Sequence, residues 1–280
     1  MQWFGRRGSG NVFDRRGVGG GQLVAGGGVL GVVILIVNFL LGGNPDQLQQ
    51  QLQNGVRAPM TAEQKAEEDS LARFVSVVLA DCEDVWTKIF EEQGQAYQYP
   101  NLVLFTGSTE TGCGFSSAAT GPFYCPQDNQ VYIDLSFFQE MRTRFHASGD
   151  FAMAYVVAHE VGHHVQFLLG TFDKVSRLQQ QSGGEANKYS VGLELQADFY
   201  AGVWAHYEQN MKNVLDPGDI DEALNAANAI GDDRLQKQSQ GYVVPDAFTH
   251  GTSAQRAYWF KKGYETGDIR QGNTFATLDL

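Results

Sequence analysis

The stretch from Tyr155 to Leu169 reads YVVAHEVGHHVQFLL, and it predicts the central element of the fold. Its apolar residues recur at helical spacing, and two histidines, His159 and His163, stand four positions apart. Residues four apart lie one turn above each other on the same face of an α-helix. The sequence therefore predicts a largely apolar helix over 151–169 that presents two imidazoles on one face, with Glu160 beside the first of them.

The run from His159 to His163 is an H-E-x-x-H pattern in a helical setting. Two imidazoles at this spacing can reach one zinc ion at about 2.0–2.1 Å. Glu160 would stand beside the metal and accept a proton from the attacking water. The alternative is a buried helix that happens to contain two histidines. Burial of these imidazoles and a carboxylate without partners would be costly, which favours the metal site.

A hydrolytic zinc site usually has three protein ligands and one open position. The sequence predicts Glu194, in the apolar run GLELQADFYAG over 192–202, as the third ligand. Asp198 lies one helical turn further on, where it could orient His159 by accepting its other ring N–H. The alternative is that both acids belong to a solvated face, but their neighbours are mostly apolar and leave no obvious polar face.

The remaining pattern is that of an α+β fold with a small early sheet followed by helices. A capping signal at Thr61 and Gln64 opens a long helix over 62–92. Asn101–Thr106 and Gln130–Leu135 are short runs typical of strands. Further helices are predicted over 190–210, 220–230 and 253–264.

The segment Leu23–Gly43 contains no charged residue and is long enough to cross a bilayer as a helix. Arginines at positions 6, 7, 15 and 16 precede it, and the next ten residues carry no Lys or Arg. The positive-inside bias then predicts a cytoplasmic N-terminus and an extracytoplasmic domain, periplasmic at the inner membrane. A cleaved signal peptide is the alternative, although the apolar run is long for one.

These observations predict five regions along the chain: a disordered cytoplasmic tail over 1–21, a transmembrane anchor over 22–43, a Gln-rich linker over 44–60, a folded domain over 61–270 and a C-terminal tail over 271–280. The formal net charge of −12 and the pI of about 4.9 make nucleic acid an unexpected partner.

Several segments together resemble the bacterial neutral zinc metallopeptidases, a family of single-pass membrane proteins. The H-E-x-x-H helix followed by E-x-x-x-D is similar to the gluzincins, in which a glutamate is the third ligand. The matching segments are NVFDRR at 11–16, TGCG at 111–114, GPFYCP at 121–126, AHEVGHHVQ at 158–166, LELQAD at 193–198 and HGTSAQR at 250–256.

The resemblance implies a zincin-like metallopeptidase domain, a Zn²⁺ cofactor and a peptide or protein substrate. Two other functions stay open at this point. One is a non-catalytic zinc-containing scaffold of the cell envelope, against which the intact Glu160 argues. The other is a zinc hydrolase that acts on cell-wall peptides.

Other residues are predicted to support such a site. His250, just before a helix, is the first choice as the donor to the oxyanion, and Tyr242, Tyr258 and Arg256 are alternatives. A purely local hydrogen bond of His250 is equally compatible with the sequence. His164 should lie on another face of the metal helix, partly exposed.

Two further predictions concern the sheet region. Cys113 and Cys125 could form a disulfide outside the cytoplasm, with two free thiols as the alternative, whereas Cys82 should be a buried apolar residue. The strand at 130–135 could bind an extended peptide by strand addition, or it could be an ordinary core strand.

Overall fold

The computed structural model describes residues 1–17, 60–182 and 185–277. Its strands are β1 (Val12–Asp14), β2 (Asn101–Phe105), β3 (Ser108–Thr111), β4 (Gly114–Ser117), β5 (Phe123–Cys125) and β6 (Gln130–Asp134). Its α-helices are α1 (Ala62–Glu92), α2 (Ser136–Thr143), α3 (Asp150–Leu168), α4 (Thr171–Gln181), α5 (Ala186–Lys212), α6 (Asp219–Ala229), α7 (Asp232–Gln240) and α8 (Ser253–Thr266). The predicted α+β class is confirmed, with most of the ordered residues in helices.

The long first helix begins where its capping signal lies. The Thr61 side chain accepts the backbone N–H of Gln64, and the Gln64 side chain accepts the N–H of Thr61. This reciprocal pair satisfies two of the donors that a helix start leaves without a partner. One face of α1 carries large apolar side chains such as Phe74 and Trp86 into the main core.

The main sheet has the strand order β1-β2-β6-β5. Strands β1, β2 and β6 run parallel, and β5 is antiparallel to β6. The predicted peptide-binding strand, β6, is therefore hydrogen-bonded on both sides and cannot accept another strand. Strand addition at β6 is therefore wrong, and the alternative, an ordinary core strand, is confirmed; the edge strands of this sheet are β1 and β5.

The predicted disordered tail over 1–21 is also wrong for residues 1–17. Val12 to Asp14 form β1, which pairs in register with Leu102 to Leu104 of β2. Met1 is buried, and its amino group lies 2.7 Å from the Asp150 carboxylate at the start of α3. The glycines and arginines of this segment gave no apolar periodicity, and only its distant partners make it ordered.

The C-terminal boundary also differs from the prediction. Residues 274–277 form a 3-10 turn, and Thr274 is fully buried and donates a hydrogen bond to the Gly192 carbonyl at 2.6 Å. The folded part therefore continues beyond residue 270. The predicted anchor over 22–43 and the linker over 44–59 lie outside the described residues. Within the described ranges, no helix combines the length and the apolar character needed to cross a membrane.

Helices α5 and α8 cross at a reciprocal glycine contact. A Cβ atom at Gly202 would lie 2.0 Å from the Phe260 carbonyl oxygen, and one at Gly263 would lie 2.1 Å from the Phe199 carbonyl oxygen. Only glycine allows two helix backbones to approach this closely. The contact brings α8 against the part of α5 that carries Asp198.

Replacement of Gly263 by alanine tests this contact. The added methyl group would force the two helices apart, and we expect the free energy of unfolding to fall by about 1–3 kcal/mol, as for other overpacked cores. The measurement is chemical denaturation of the full chain. The control is Lys261→Ala, at an exposed position two residues earlier on α8, and equal midpoints for the two variants would contradict the close packing.

Candidate metal centre

Helix α3 presents His159 and His163 on one face, with their ring centroids 4.8 Å apart. His159 and Glu160 are buried, and the side chains of His159, Glu160 and His163 line one cleft. Helix α5 crosses α3 at Gly162, where a Cβ atom would lie only 3.0 Å from the Ala197 carbonyl oxygen. This glycine, between the two histidines, lets the acidic residues of α5 reach them.

Glu194 on α5 faces both imidazoles. Its Oε2 lies 3.2 Å from His159 Nε2, and its Oε1 lies 3.4 Å from His163 Nε2. One ligand atom from each of the three residues lies within 4.8 Å of the others, so the group could hold one metal ion. Two imidazole nitrogens and one carboxylate are a donor set that suits zinc and leaves a fourth position for water or substrate.

The far side of each imidazole is held by a hydrogen bond. His159 Nδ1 lies 2.8 Å from Asp198 Oδ1, and His163 Nδ1 lies 2.8 Å from Gln166 Oε1. Since an acceptor oxygen holds the proton on Nδ1, each ring turns the lone pair of Nε2 towards the place of the metal. With Nδ1 engaged in this way, Nε2 is the atom of each ring that is available to a metal ion.

Gln166 ends the segment AHEVGHHVQ but was given no role from the sequence, although its position three residues after His163 puts it on the same side of α3. Its amide nitrogen donates to the Leu193 carbonyl at 2.7 Å and to Gln196 Oε1 at 3.2 Å. The residue therefore connects a ligand histidine of α3 to the helix that carries Glu194.

Asp198 is fully buried and bridges His159 to Arg256. Arg256 Nε donates to Asp198 Oδ2 at 2.8 Å, and its Nη2 donates to Oδ1 at 3.0 Å. The Tyr155 hydroxyl also donates to Oδ1. Arg256 was an alternative to His250 as the oxyanion donor, but its guanidinium is bound to Asp198, and its Nη2 lies 3.5 Å from His159 Nδ1. The structure therefore assigns it to the support of a ligand.

The pKa values in this group reflect strong mutual electrostatics. Burial raises the pKa of Glu160. Burial acts in the same direction on Glu194, but the nearby His163 and His159 hold the pKa of Glu194 well below its usual range. Burial alone would lower the pKa of His159, but Asp198 and Glu194 outweigh it and raise that pKa to about 10. Positive charge is thus favoured at the point where the two imidazoles and Glu194 meet.

His250, in the loop before α8, lines the same cleft, and its side chain is about half exposed (49%). Asp232 Oδ2 accepts the backbone N–H groups of Thr249, His250 and Gly251 at 2.6–3.1 Å, which fixes the loop. Asp232 Oδ1 lies 3.3 Å from His250 Nδ1, and this hydrogen bond raises the pKa of His250. The other two candidate donors, Tyr242 and Tyr258, are exposed and do not line the cleft.

The cleft has a volume of about 880 Å³. Edge strand β5 contributes Phe123 and Tyr124 to its wall, while Phe137, Phe145 and Phe172 add aromatic surface from neighbouring segments. The metal group lies in a largely apolar groove that is open to solvent.

A disulfide joins Cys113, in the turn between β3 and β4, to Cys125 at the end of β5, with the two Cα atoms 5.8 Å apart. His164 lies on another face of α3, as predicted, but it is buried and not partly exposed. Its Nε2 donates to the Gln98 carbonyl at 2.6 Å, and its Nδ1 lies 3.1 Å from the Tyr124 hydroxyl. Burial lowers its pKa to about 4. His164 and the disulfide both help to fix β5 beside the metal helix.

Sequence comparison agrees with this arrangement. Residues 1–275 match the family described as "Putative neutral zinc metallopeptidase". This chain belongs to that zinc metallopeptidase family. The family implies Zn²⁺ as the cofactor, and His159, His163 and Glu194 are the group in the structure that could bind it.

One relative matches nearly the whole chain and another about two thirds of it, and the name of neither gives an activity. The chain is 50% identical to "Uncharacterized protein YpfJ" of Escherichia coli K12, over 98% of this chain and 99% of that protein. It is 49% identical to "Uncharacterized protein Rv2575" of Mycobacterium tuberculosis H37Rv, over 66% of this chain and 65% of that protein. No solved structure shows a significant match.

Replacement of Asp198 by asparagine tests how the site is supported. The change keeps all three candidate ligands but removes the charge that holds the His159 tautomer, and we expect a 10–100-fold loss of zinc affinity. The measurement is competition for zinc with a chelator of known affinity. Asp173→Asn, on the exposed face of α4, should bind zinc like wild type, and equal affinities for all three proteins would contradict the proposed support.

Proposed function

We propose that the chain is a zinc-dependent peptidase that hydrolyses peptide bonds, with Glu160 as the general base. The observation that carries the proposal is the convergence of two imidazoles, one carboxylate and a separate buried carboxylate in an open cleft. A structural zinc site is closed by four protein ligands, whereas this group supplies three.

A zinc ion held by His159, His163 and Glu194 would lower the pKa of a water molecule and polarise the scissile carbonyl. Glu160 follows the first of these residues in the chain and lines the cleft beside them. Because burial raises its pKa, its carboxylate is a better proton acceptor than an exposed glutamate, and it can pass the proton on to the leaving amine.

His250 is the group that would donate a hydrogen bond to the oxyanion. It lines the cleft together with the candidate ligands, and its hydrogen bond to Asp232 favours the protonated ring. A positioned donor of this kind acts on charge that develops only in the transition state. Peptide cleavage also requires a surface that holds the substrate in an extended form in the cleft.

Strand β5 offers that surface. One edge of β5 pairs with β6, and Gly121 to Tyr124 line the cleft next to the metal group. An extended peptide could add to the other edge through backbone hydrogen bonds, while its side chains occupy the aromatic groove. Since backbone hydrogen bonds are independent of side-chain identity, this mode of binding supports a peptide as the substrate class.

The first test of this function is Glu160→Gln in the full chain. The variant keeps the candidate ligands but cannot accept a proton, so we expect one zinc per chain and a loss of turnover of about 10²–10⁴-fold or more. Zinc content is measured together with cleavage of a pool of unstructured peptides, read as new amino termini by mass spectrometry. Glu185→Gln, at an exposed position before α5, is the matched control. Full cleavage by Glu160→Gln would exclude the assigned role.

The second test concerns the role of His250. His250→Ala should lower kcat by about 10²–10³-fold with little change in zinc content. Asp232 raises the pKa of His250, so Asp232→Asn should lower that pKa. Activity that needs the protonated ring is present below the pKa and lost above it. The alkaline limb of the kcat profile should therefore move to lower pH in Asp232→Asn, and an unmoved limb would show that His250 does not act as this acid.

A further inference from the structure

Residues 1–17, called here the amino-terminal arm, close one edge of the main sheet. Strand β1 of the arm pairs with β2, whose other edge is occupied by β6. Backbone hydrogen bonds to β2 continue beyond both ends of β1. The Leu102 N–H donates to the Asn11 carbonyl, and the Arg15 N–H donates to the Leu104 carbonyl, both at 2.8 Å. The arm thus supplies a regular strand, β1, to the main sheet of the domain.

Buried carboxylates of the domain take partners from the arm. Arg6 Nη2 lies 2.6 Å from Asp81 Oδ1 on α1 and 2.8 Å from Glu208 Oε1 on α5, and both carboxylates are almost completely buried. Glu83, also buried on α1, accepts from the Asn11 amide at 2.7 Å. A buried carboxylate without a partner is strongly destabilising. Lys212 of α5 also pairs with Asp81 at 2.7 Å and with Glu208 at 3.5 Å, whereas the hydrogen bonds to Glu83 come from Ser9 and Asn11 of the arm. Without the arm, Glu83 would lose these partners, and Lys212 alone would balance the charges of Asp81 and Glu208.

Close packing accompanies these polar contacts. Trp3 of the arm meets Phe74 of α1 edge to face, with ring centroids 5.4 Å apart. A Cβ atom at Gly8 would lie 2.6 Å from the Ser76 Oγ. At the end of the arm, Arg16 lies 3.0 Å from the Asp69 carboxylate near the start of α1. The arm contacts the domain along its whole length.

A chain that crosses a membrane once between the arm and α1 would place the two on opposite sides, where none of these contacts could form. We infer that the amino-terminal arm is an integral part of the metallopeptidase domain and lies on the same side of the membrane as the metal site. The predicted pairing of a cytoplasmic tail with an extracytoplasmic domain is incompatible with this arrangement.

The charges that suggested the opposite topology have another role in the structure. By the positive-inside bias, the arginines before the apolar run are charges that remain in the cytoplasm. Three of them are ion-paired, Arg6 with Asp81 and Glu208, Arg7 with Asp84, and Arg16 with Asp14 and Asp69. The positive charge of these three arginines is therefore explained by their acidic partners in the same chain.

A disulfide trap tests the docking in the full chain. Positions 8 and 76 are close enough for a disulfide between two cysteines. The double variant Gly8→Cys, Ser76→Cys should therefore cross-link when membranes of the expressing cells are oxidised. The linked peptides that carry positions 8 and 76 are identified by mass spectrometry. Gly8→Cys alone is the control for a link to Cys82. The sample is first reduced and then oxidised again, and recovery of the Cys113–Cys125 link in the same digest shows that the oxidant was effective. Absence of the 8–76 link in that sample would overturn the inference.

Cysteine labelling then reports the side of the membrane without reference to activity. Phe4→Cys places a thiol at an exposed position of the arm, and Arg270→Cys places one at an exposed position of the domain. In intact cells, a membrane-impermeant maleimide should label both variants or neither, and after permeabilisation both should react. Labelling of only one of the two in intact cells would place arm and domain on opposite sides and overturn the inference.

Discussion

The carboxylate of Asp198 lies in the interior and contacts both the imidazole of His159 and the guanidinium of Arg256. Three helices meet at this contact, because α5 supplies Asp198, α3 supplies His159 and α8 supplies Arg256. Arg256 and His159 keep the pKa of Asp198 low even though burial acts against ionisation. A carboxylate buried in this way is stable only while both partners remain in place, so the packing of the three helices and the orientation of the metal ligand depend on one another.

The positions of the glycines follow from that requirement. Gly162 lets α5 approach α3 between the two ligand histidines, and Gly202 with Gly263 lets α8 approach α5. The helix backbones therefore approach closely, and polar side chains make contacts between them. The amino-terminal arm extends the same network, since Arg6 links Glu208 at the other end of α5 to Asp81 of α1. The helix that carries Glu194 and Asp198 is thus held by charged contacts at its middle and near its C-terminal end.

The candidate ligands were predictable because their spacing is local. His159 and His163, and likewise Glu194 and Asp198, are four residues apart on predicted helices, and helical geometry alone places each pair on one face. Arg256, Tyr155 and the arm were not predictable in their observed roles, because each acts through partners distant in sequence. Strand order shows the same limit. The composition of 130–135 predicted a strand, but only tertiary pairing places β5, and not β6, at the open edge of the cleft.

The central claim is that His159, His163 and Glu194 bind a zinc ion that is required for peptide cleavage. It is tested most directly by zinc analysis and peptide cleavage of the full chain before chelation, after chelation and after zinc is added back. The structure predicts about one zinc per chain, loss of both zinc and cleavage on chelation, and recovery of both on addition. Cleavage that persists in the metal-free protein, or a zinc-loaded protein that cleaves no peptide, would contradict the account.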